Sequence, residues 1–270
     1  MELTNYELGI IRRVVKEKTG IDIPEKKLRN IYKRKFEKLL KEEEISFFDF
    51  ISSLDKDVRL LDKFISLVTV NETYFFREYY QIRSLVDFII PELEKEKTQI
   101  RILSAPCASG EEVYSIAIEI FEKLPEIKEK IFIIGLDIDW KMIGNAKKGV
   151  YNLRSIQKVE QDLLDKYFDK VDGGCYKVKS FLKTAVSFHR ANVLNIEDLR
   201  KFKYVDIVFS RNLLIYFDEV AREKTIKNFY EIMSPRGYLF LGHAEKIPRN
   251  SSHLFEKRKV GESYVYIAKK

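Results

Sequence analysis

The chain after residue 98 alternates short apolar, β-branched runs with helical stretches, and this alternation restricts the fold more than any other feature. It is typical of repeated βαβ units, because parallel strands need a long crossover, usually a helix, to connect them. The sequence therefore predicts an α/β fold with a mostly parallel, doubly wound sheet. We expect parallel strands at 100–104, 131–136, 186–189, 205–209 and 238–241, a terminal antiparallel pair at 255–260 and 263–268, and helices at 111–123, 140–147 and 219–233.

The first 68 residues carry helical patterns instead. Thr4 and Glu7 have the spacing of a capping box, and Gly20 suits the left-handed end of the same helix. Further short helices are expected at 46–54 and 58–68. The predicted organisation is a small all-helical domain at 1–68, a linker and leading helix at 69–98, and a sheet domain at 99–270.

One interval interrupts the alternation of strands and helices. About 35 residues separate Gly149 from Thr184, where a doubly wound fold usually proceeds directly to its third strand. Alternating apolar residues near Tyr176 indicate a small β element, with the glycines at 173–174 as its turn. We therefore predict an inserted small β subdomain at about 150–184.

Composition limits the class of protein. No apolar run reaches the roughly 18 to 20 residues that a membrane span needs, and the first residues lack the pattern of a signal peptide. The two cysteines, Cys107 and Cys175, lie far apart, and the three histidines lack metal-ligand spacing, so neither a disulfide framework nor a metal site is expected. These features predict a cytoplasmic protein without direct membrane insertion.

Positive charge is concentrated in the N-terminal region. The formal net charge is +7, and residues 1–40 hold 11 Lys and Arg against 6 Asp and Glu. Such a balance favours an anionic partner. A solvated helix face and a docking surface for an acidic protein both explain the pattern. The helix predicted from Pro24 to Leu40 is strongly basic, and the residues of this basic helix that a docking surface would use are Lys26, Arg29, Lys33 and Arg34.

The loop after the first strand is built from small residues. Segment 104–112 contains one glycine and ends in Glu111 and Glu112, at the start of a helix. A diphosphate would favour a glycine-rich turn with bare N–H groups. Two carboxylates suit a cationic ligand better, such as the ammonium and sulfonium of S-adenosylmethionine (SAM). Ordinary capping of the helix is the alternative.

Polar residues also follow the second and third strands. Asp137 stands where an acidic side chain can accept both hydroxyls of a ribose, an arrangement that several nucleoside cofactors share. Asn192 and the backbone of Val193 have the position to contact an adenine edge. A turn asparagine is the competing explanation for Asn192.

The fourth strand ends in a further polar segment. Arg211 and Asn212 follow it directly, and Asn212 is expected to face the ligand crevice. Tyr216 has the position to bring a hydroxyl near a substrate.

The linker between the helical region and the sheet region also carries polar residues. Three of its polar residues, Asn71, Thr73 and Arg77, interleave with aromatic residues at 74–76. The aromatics can serve simply to pin two domains together. The polar side chains would then lie in or near a domain crevice, a common ligand location.

Four ordered blocks of this sequence resemble the CheR family, the chemotaxis receptor glutamate methyltransferases. The blocks are N-E-T-Y-F-F-R at 71–77, S-A-P-C-A-S-G-E-E-V-Y at 104–114, S-R-N-L-L-I-Y-F at 210–217, and Leu241, Gly242, His243 and Glu245. The resemblance implies a Rossmann-like, SAM-dependent methyltransferase sheet. It also implies methyl transfer from SAM to glutamate γ-carboxylates in the helical cytoplasmic domain of chemotaxis receptors.

The resemblance further implies which residues form the site. The cofactor residues would be Asn71, Thr73, Arg77, Glu111, Asp137, Asn192, Val193, Arg211 and Asn212. A glutamate carboxylate is already ionised at neutral pH, so its attack on a sulfonium methyl needs alignment and desolvation rather than a base. We expect Arg77 to orient the substrate carboxylate or order the cofactor, and Tyr216 to position the acceptor.

The resemblance bears on partners as well. It implies that the basic helix docks on the receptor, with no role for nucleic acid. The turn at 172–175 is short, whereas family members that bind a receptor's C-terminal tail have a longer loop there, so tail-peptide tethering is not expected.

Two other functions compete with this interpretation. A nicotinamide-dependent oxidoreductase would share Asp137, but it should have a G-x-G-x-x-G turn after the first strand, and this sequence has none. A non-catalytic SAM-binding sensor or receptor adaptor would keep the same pocket. Arg77 and Tyr216 favour catalysis over that alternative.

Overall fold

Helices make up the N-terminal part of the computed structural model, which describes residues 2–270. The Thr4 hydroxyl accepts a hydrogen bond from the Glu7 N–H at 3.3 Å, and the Glu7 carboxylate accepts one from the Thr4 N–H at 2.8 Å. Gly20 ends this helix with a φ of 77°, and the predicted capping box and helix end are thus confirmed. The helices are α1 (Asn5–Thr19), α2 (Glu25–Lys27), α3 (Lys33–Glu42), α4 (Phe47–Ser53) and α5 (Val58–Val68), and the π-helical turn Leu28–Tyr32 joins α2 to α3.

These helices share one apolar core. The ring centroid of Phe64 lies 5.6 Å from that of Phe36 and 6.2 Å from that of Phe50. Leu8 and Val15 of α1 are buried in the same cluster. Burial stabilises each such side chain by roughly 1.5–3 kcal/mol. Because helices this short are marginal alone, the packing holds them in place.

A second helical run connects this region to the sheet. It consists of α6 (Tyr79–Ser84), a π-helical turn (Leu85–Ile89) and α7 (Ile90–Glu94). The leading helix predicted within 69–98 is therefore present as one continuous run.

The remaining chain forms two sheets. The larger sheet has the order β6-β2-β1-β7-β8-β10-β9. Its first five strands are parallel, and β10 is antiparallel to both of its neighbours, β8 and β9. The strands are β1 (Ile100–Ser104), β2 (Ile131–Asp137), β3 (Val150–Tyr151), β4 (Phe168–Val171), β5 (Cys175–Val178), β6 (Val186–Arg190), β7 (Val205–Ser210), β8 (Met233–Leu241), β9 (Phe255–Val260) and β10 (Ser263–Ala268).

The predicted strands are confirmed, and β2, β6 and β7 end one residue later than expected. Strand β8 begins five residues earlier than expected, at Met233 rather than Tyr238. Met233 pairs with Val205, and the register then shifts so that Tyr238 pairs with Ile207. The intervening residues include Arg236 at a φ of 56°, so the sequence there resembles a turn although it continues a strand.

Helices cover both faces of the larger sheet. Adjacent residues of a central strand, such as Ile102 and Leu103, belong to separate apolar clusters because strand side chains alternate between faces. The helices are α8 (Glu111–Lys123), α9 (Trp140–Lys148), α10 (Leu153–Ile156), α11 (Gln161–Tyr167), α12 (Ser180–Lys183), α13 (Ile196–Leu199) and α14 (Glu219–Ile232). The fold is an α/β, Rossmann-like fold with a helical N-terminal region, as predicted.

The smaller sheet lies in the interval that interrupts the alternation. Its three antiparallel strands have the order β3-β5-β4. The turn between β4 and β5 contains Gly173 and Gly174 at φ values of 73° and 69°, which residues with side chains rarely adopt. The predicted small β element and its glycine turn are confirmed.

Among residues 2–270, none of the helices combines the length and apolar character needed to cross a bilayer.

Candidate active site

A cleft runs along the carboxyl ends of the parallel strands. Two cavities, of about 570 and 460 Å³, share Asn71, Pro106, Asp137 and Asn212 among their walls. The cleft lies where the loops after β1, β2 and β7 meet. The strand order reverses there, because β2 and β7 lie on opposite sides of β1. This is the place where open α/β sheets bind ligands.

Asp137 lies at the junction of the two cavities. Its carboxylate accepts hydrogen bonds from the Ala108 N–H at 2.8 Å and from the Asp139 N–H at 2.9 Å. The side chain is 4% exposed, and burial raises the pKa of Asp137 to about 6. The two N–H groups hold the carboxylate against the loops after β1 and β2, with lone pairs left for hydroxyl donors.

Asn71 is fixed to the same region through Asp139. The Asn71 amide donates to the Asp139 carboxylate at 3.0 Å, and the Ser66 and Thr69 hydroxyls donate to it at 2.7 and 3.1 Å. Asp139 also caps α9 by accepting from the Lys141 N–H. The helical region is thereby tied to the loop after β2, and Asn71 is held in both cavity walls.

The rest of segment 71–77 divides its side chains between core and cleft. The Phe75 and Phe76 N–H groups donate to Ser155 and Ser115, and both rings are buried. Thr73 and Arg77 line the smaller cavity. The aromatics therefore pin the segment, and its polar side chains face the cleft.

Arg77 retains most of its hydrogen-bonding capacity. One guanidinium nitrogen donates to the Glu72 carbonyl at 2.7 Å, and the group lies 5.9 Å from the Tyr74 ring centroid. The fork of an arginine has five N–H donors, so several are available for a carboxylate.

The two glutamates at the start of α8 have different surroundings. Glu111 is buried, and its carboxylate accepts from the Ser109 and Ser155 hydroxyls at 2.8 and 3.1 Å. Burial raises the pKa of Glu111. Glu112, by contrast, lines the smaller cavity. The structure thus brings Glu112 to the cleft and places Glu111 behind it, and the cofactor role of Glu111 stays a prediction.

Arg211 lines the smaller cavity from a buried position. Its Nε donates to the Glu112 carboxylate at 2.5 Å, and its Nη1 lies 3.4 Å from the Glu78 carbonyl. A buried charge needs such partners, because removing it from water is costly. The ion pair joins the loop after β7 to the start of α8.

The backbone of Asn212 is held by Glu245, a residue to which the sequence pattern assigned no role. The Glu245 carboxylate accepts hydrogen bonds from the N–H groups of Gly242 at 2.8 Å, Asn212 at 2.9 Å and Ile215 at 3.2 Å. Asn212 itself has a φ of 57°. A side chain at Gly242 would approach the Glu245 carboxylate to 2.7 Å. The only available signal was that Gly242 and Glu245 belong to the same motif block.

Asn192 and Val193 line the larger cavity. The Asn192 amide donates to the Lys18 carbonyl at 2.9 Å, and its oxygen accepts from the Leu194 N–H at 3.0 Å. The bond from Leu194 is that of a turn asparagine, the alternative noted from the sequence, whereas the bond to Lys18 ties this loop to the end of α1. Contact of Asn192 or Val193 with an adenine stays a prediction.

Tyr216 also lines the larger cavity and is partly buried. Burial raises the pKa of Tyr216, and the Arg77 cation partly offsets this effect. A phenol with a raised pKa remains protonated at neutral pH. Tyr216 is therefore a hydrogen-bond donor rather than a base.

The four predicted docking residues differ in whether they form an ion pair. Arg29 pairs with Glu25 at 2.6 Å, and Lys33 pairs with Glu2 at 2.7 Å. Lys26 and Arg34 are exposed. Whether this helix face docks on a partner stays a prediction.

The chemistry of the cleft fits SAM. Apolar walls from Leu136, Ile138 and Val193 surround the larger cavity, as a flat adenine requires. The buried carboxylate of Asp137 is an acceptor for ribose hydroxyls. The smaller cavity is lined by Arg77 and by the Glu112–Arg211 ion pair, and charges of both signs suit an amino-acid tail that carries an ammonium and a carboxylate. Among residues 2–270, no group of three or more His, Cys, Asp or Glu has an arrangement that could hold a metal ion.

Comparison with known proteins agrees with this chemistry. Residues 71–263 match the family model described as "CheR methyltransferase, SAM binding domain". The chain is 35% identical over 261 residues to Chemotaxis protein methyltransferase 2 of Vibrio cholerae, covering 95% of this chain and 91% of that protein. It is 33% identical over 246 residues to a Chemotaxis protein methyltransferase of Campylobacter jejuni, covering 91% and 90%. The chain therefore belongs to the CheR family of SAM-binding methyltransferases.

Proposed function

We propose that this protein transfers the methyl group of SAM to the γ-carboxylate of glutamate residues in chemotaxis receptors, giving glutamate methyl esters and S-adenosylhomocysteine. The observation that carries the proposal is the pair of joined cavities, which place Asp137 between an apolar chamber and a chamber lined by Arg77 and Arg211. The names of the relatives link them to chemotaxis.

The proposed division of the cleft follows from its walls. Asp137, Asn192 and Val193 would hold the adenosine part, and Asn71, Thr73, Glu111, Arg211 and Asn212 would hold or support the amino-acid part. When bound, SAM would supply an electrophilic methyl group on its sulfonium, and the glutamate carboxylate of the substrate would be the nucleophile that takes it, leaving S-adenosylhomocysteine. No proton is released, so the residues of the chain need not include a base.

Arg77 and Tyr216 have the properties that an acceptor site requires. The free N–H groups of Arg77 can donate hydrogen bonds to one oxygen of the substrate carboxylate and leave the other oxygen to react. The protonated Tyr216 hydroxyl can donate a further hydrogen bond to the same carboxylate. Their roles as orienting groups are part of the proposal. The basic helix face with Lys26, Arg29, Lys33 and Arg34 would dock on the acidic cytoplasmic domain of the receptor, in the cytoplasm.

The test is methyl transfer from labelled SAM to purified receptor cytoplasmic domains. We expect base-labile label on glutamate, with Arg77→Ala greatly reduced in turnover and normal in thermal unfolding. Binding of SAM without label transfer to any glutamate would reject the enzyme and favour a sensor or adaptor. A receptor tail peptide should not bind; measurable binding would overturn the prediction drawn from the short turn at 172–175.

A further inference from the structure

A second groove lies beside the candidate active site. It is a groove of about 1040 Å³, part of it open to solvent, between α6, the segment after β8, and the terminal strands β9 and β10. The segment after β8 lies at the carboxyl edge of the parallel strands, which also carries the cleft. None of the residues assigned to the cofactor or to the acceptor lines this groove.

The available charges of the groove are positive. Glu245 is held by three backbone N–H groups, and Glu262 pairs with Arg83 at 2.8 Å. Lys246 and Lys257 also line the groove and are exposed, and within residues 2–270 neither forms an ion pair. Both carboxylates thus have partners, whereas both ammonium groups face solvent.

Aromatic side chains give the groove an apolar wall. The Lys257 ammonium lies 4.4 Å from the ring centroid of Tyr264 and 6.0 Å from that of Tyr266. Tyr264 is 58% exposed although it is a large aromatic residue. Tyrosine rings beside lysines suit a peptide with carboxylates on short aliphatic stems. A single small anion would leave most of the volume empty.

The groove and the cleft are separated by a single layer of residues. Glu245 lines the groove and accepts a hydrogen bond from Asn212, which lines the cleft. Gln81 lines the groove, and its side-chain oxygen lies 3.5 Å from the guanidinium of Arg211, which lines the cleft. A chain lying in the groove therefore passes close to the smaller cavity.

We propose that this groove binds the acidic segment flanking the methylated glutamate of the protein substrate, with Lys246 and Lys257 as specificity-determining residues. The inference rests on the proposed function. It concerns a surface separate from the basic helix, on the terminal strands of the sheet.

The first test is the kinetics of methyl transfer to a receptor domain. The variant Lys246→Glu/Lys257→Glu should raise the KM for the receptor about tenfold and weaken its dependence on salt, because rim charges steer association. The KM for SAM and kcat should stay unchanged. The matched control is Lys201→Glu/Lys203→Glu, which reverses two exposed lysines before the amino end of β7. Equal receptor KM values in the two variants would overturn the inference.

The second test separates this inference from the proposed function. A fluorescein-labelled, alanine-based helical peptide rich in glutamate should bind the wild type in fluorescence anisotropy, and its glutamine counterpart should not. Lys246→Gln/Lys257→Gln should weaken that binding, and the glutamate pair should weaken it further. If the wild type methylates no receptor, the proposed function fails, and the peptide result still decides on the groove: equal binding by wild type and both variants refutes it.

Discussion

Replacing Glu245 tests how the loop after β7 is held. Its carboxylate is 7% exposed and accepts three backbone N–H groups, from Gly242, Asn212 and Ile215, at 2.8–3.2 Å. The change Glu245→Ala leaves all three donors without this acceptor. The same loop carries Tyr216, so we expect the change to lower both the stability of the protein and its affinity for the ligand of the cleft.

The magnitude follows from the number of bonds lost. A hydrogen bond to a charged group contributes about 1.5–3 kcal/mol, and water entering the vacated space recovers part of this. We expect the free energy of unfolding to fall by about 3–5 kcal/mol, which corresponds to a Tm lower by roughly 10 °C for a chain of this size. Glu245→Gln keeps the shape and one acceptor oxygen, so about half the loss is expected.

The assay combines urea unfolding with calorimetric titration of S-adenosylhomocysteine. Glu245→Ala should bind the ligand at least about tenfold more weakly, a loss near 1.4 kcal/mol. Glu126→Ala removes an exposed carboxylate and is the control. If Glu245→Ala matches this control within about 0.5 kcal/mol and binds the ligand normally, the three hydrogen bonds do not organise the site.

Three further predictions concern the cleft and the basic helix. Burial raises the pKa of Asp137 to about 6, so between its ordinary value and pH 6 the folded state holds a proton that the unfolded state has lost, and stability falls as pH rises through this window. The affinity for S-adenosylhomocysteine should rise over the same pH range, because ribose hydroxyls donate to the ionised carboxylate. Calorimetry should show no such pH dependence in Asp137→Asn. If the pH dependence is retained in that variant, the Asp137 carboxyl is not its source. Arg77→Ala should lower kcat about a hundredfold or more, with Arg77→Lys intermediate in single-turnover assays, and unchanged turnover would remove its role. Lys33→Glu/Arg34→Glu should raise the receptor KM several-fold and leave the affinity for SAM unaltered, and an unaltered receptor KM would reject docking through this helix.

Local patterns predicted the elements of the fold closely. Helix α8 and strands β1, β9 and β10 have the predicted bounds, because their apolar periods and glycine turns act over neighbouring residues. The start of β8 was misplaced since Met233 pairs with Val205 across a register shift that no local pattern encodes. The proposed domain boundaries at 68 and 98 stay predictions.

The site was predictable as a set of loops but not as a set of contacts. Parallel strands bring their carboxyl ends to one edge, so the placement of Asn71, Asp137 and Asn212 in one cleft followed from order along the chain. The two adjacent glutamates of α8 could not be distinguished in this way. Their directions differ by about 100° on a helix, and only packing decided that Glu112 faces the cleft while Glu111 meets Ser155.

The sequence by itself determined the fold class, the family and the edge of the sheet that carries the site, because periodicity and motifs are properties of neighbouring residues. Tertiary structure alone decided how the polar groups are satisfied. It paired Arg211 with Glu112, 99 positions apart, and gave Glu245 the N–H groups of a loop about 30 residues away. Buried polar groups must find partners wherever the folded chain provides them, and those partners cannot be identified before the chain is folded.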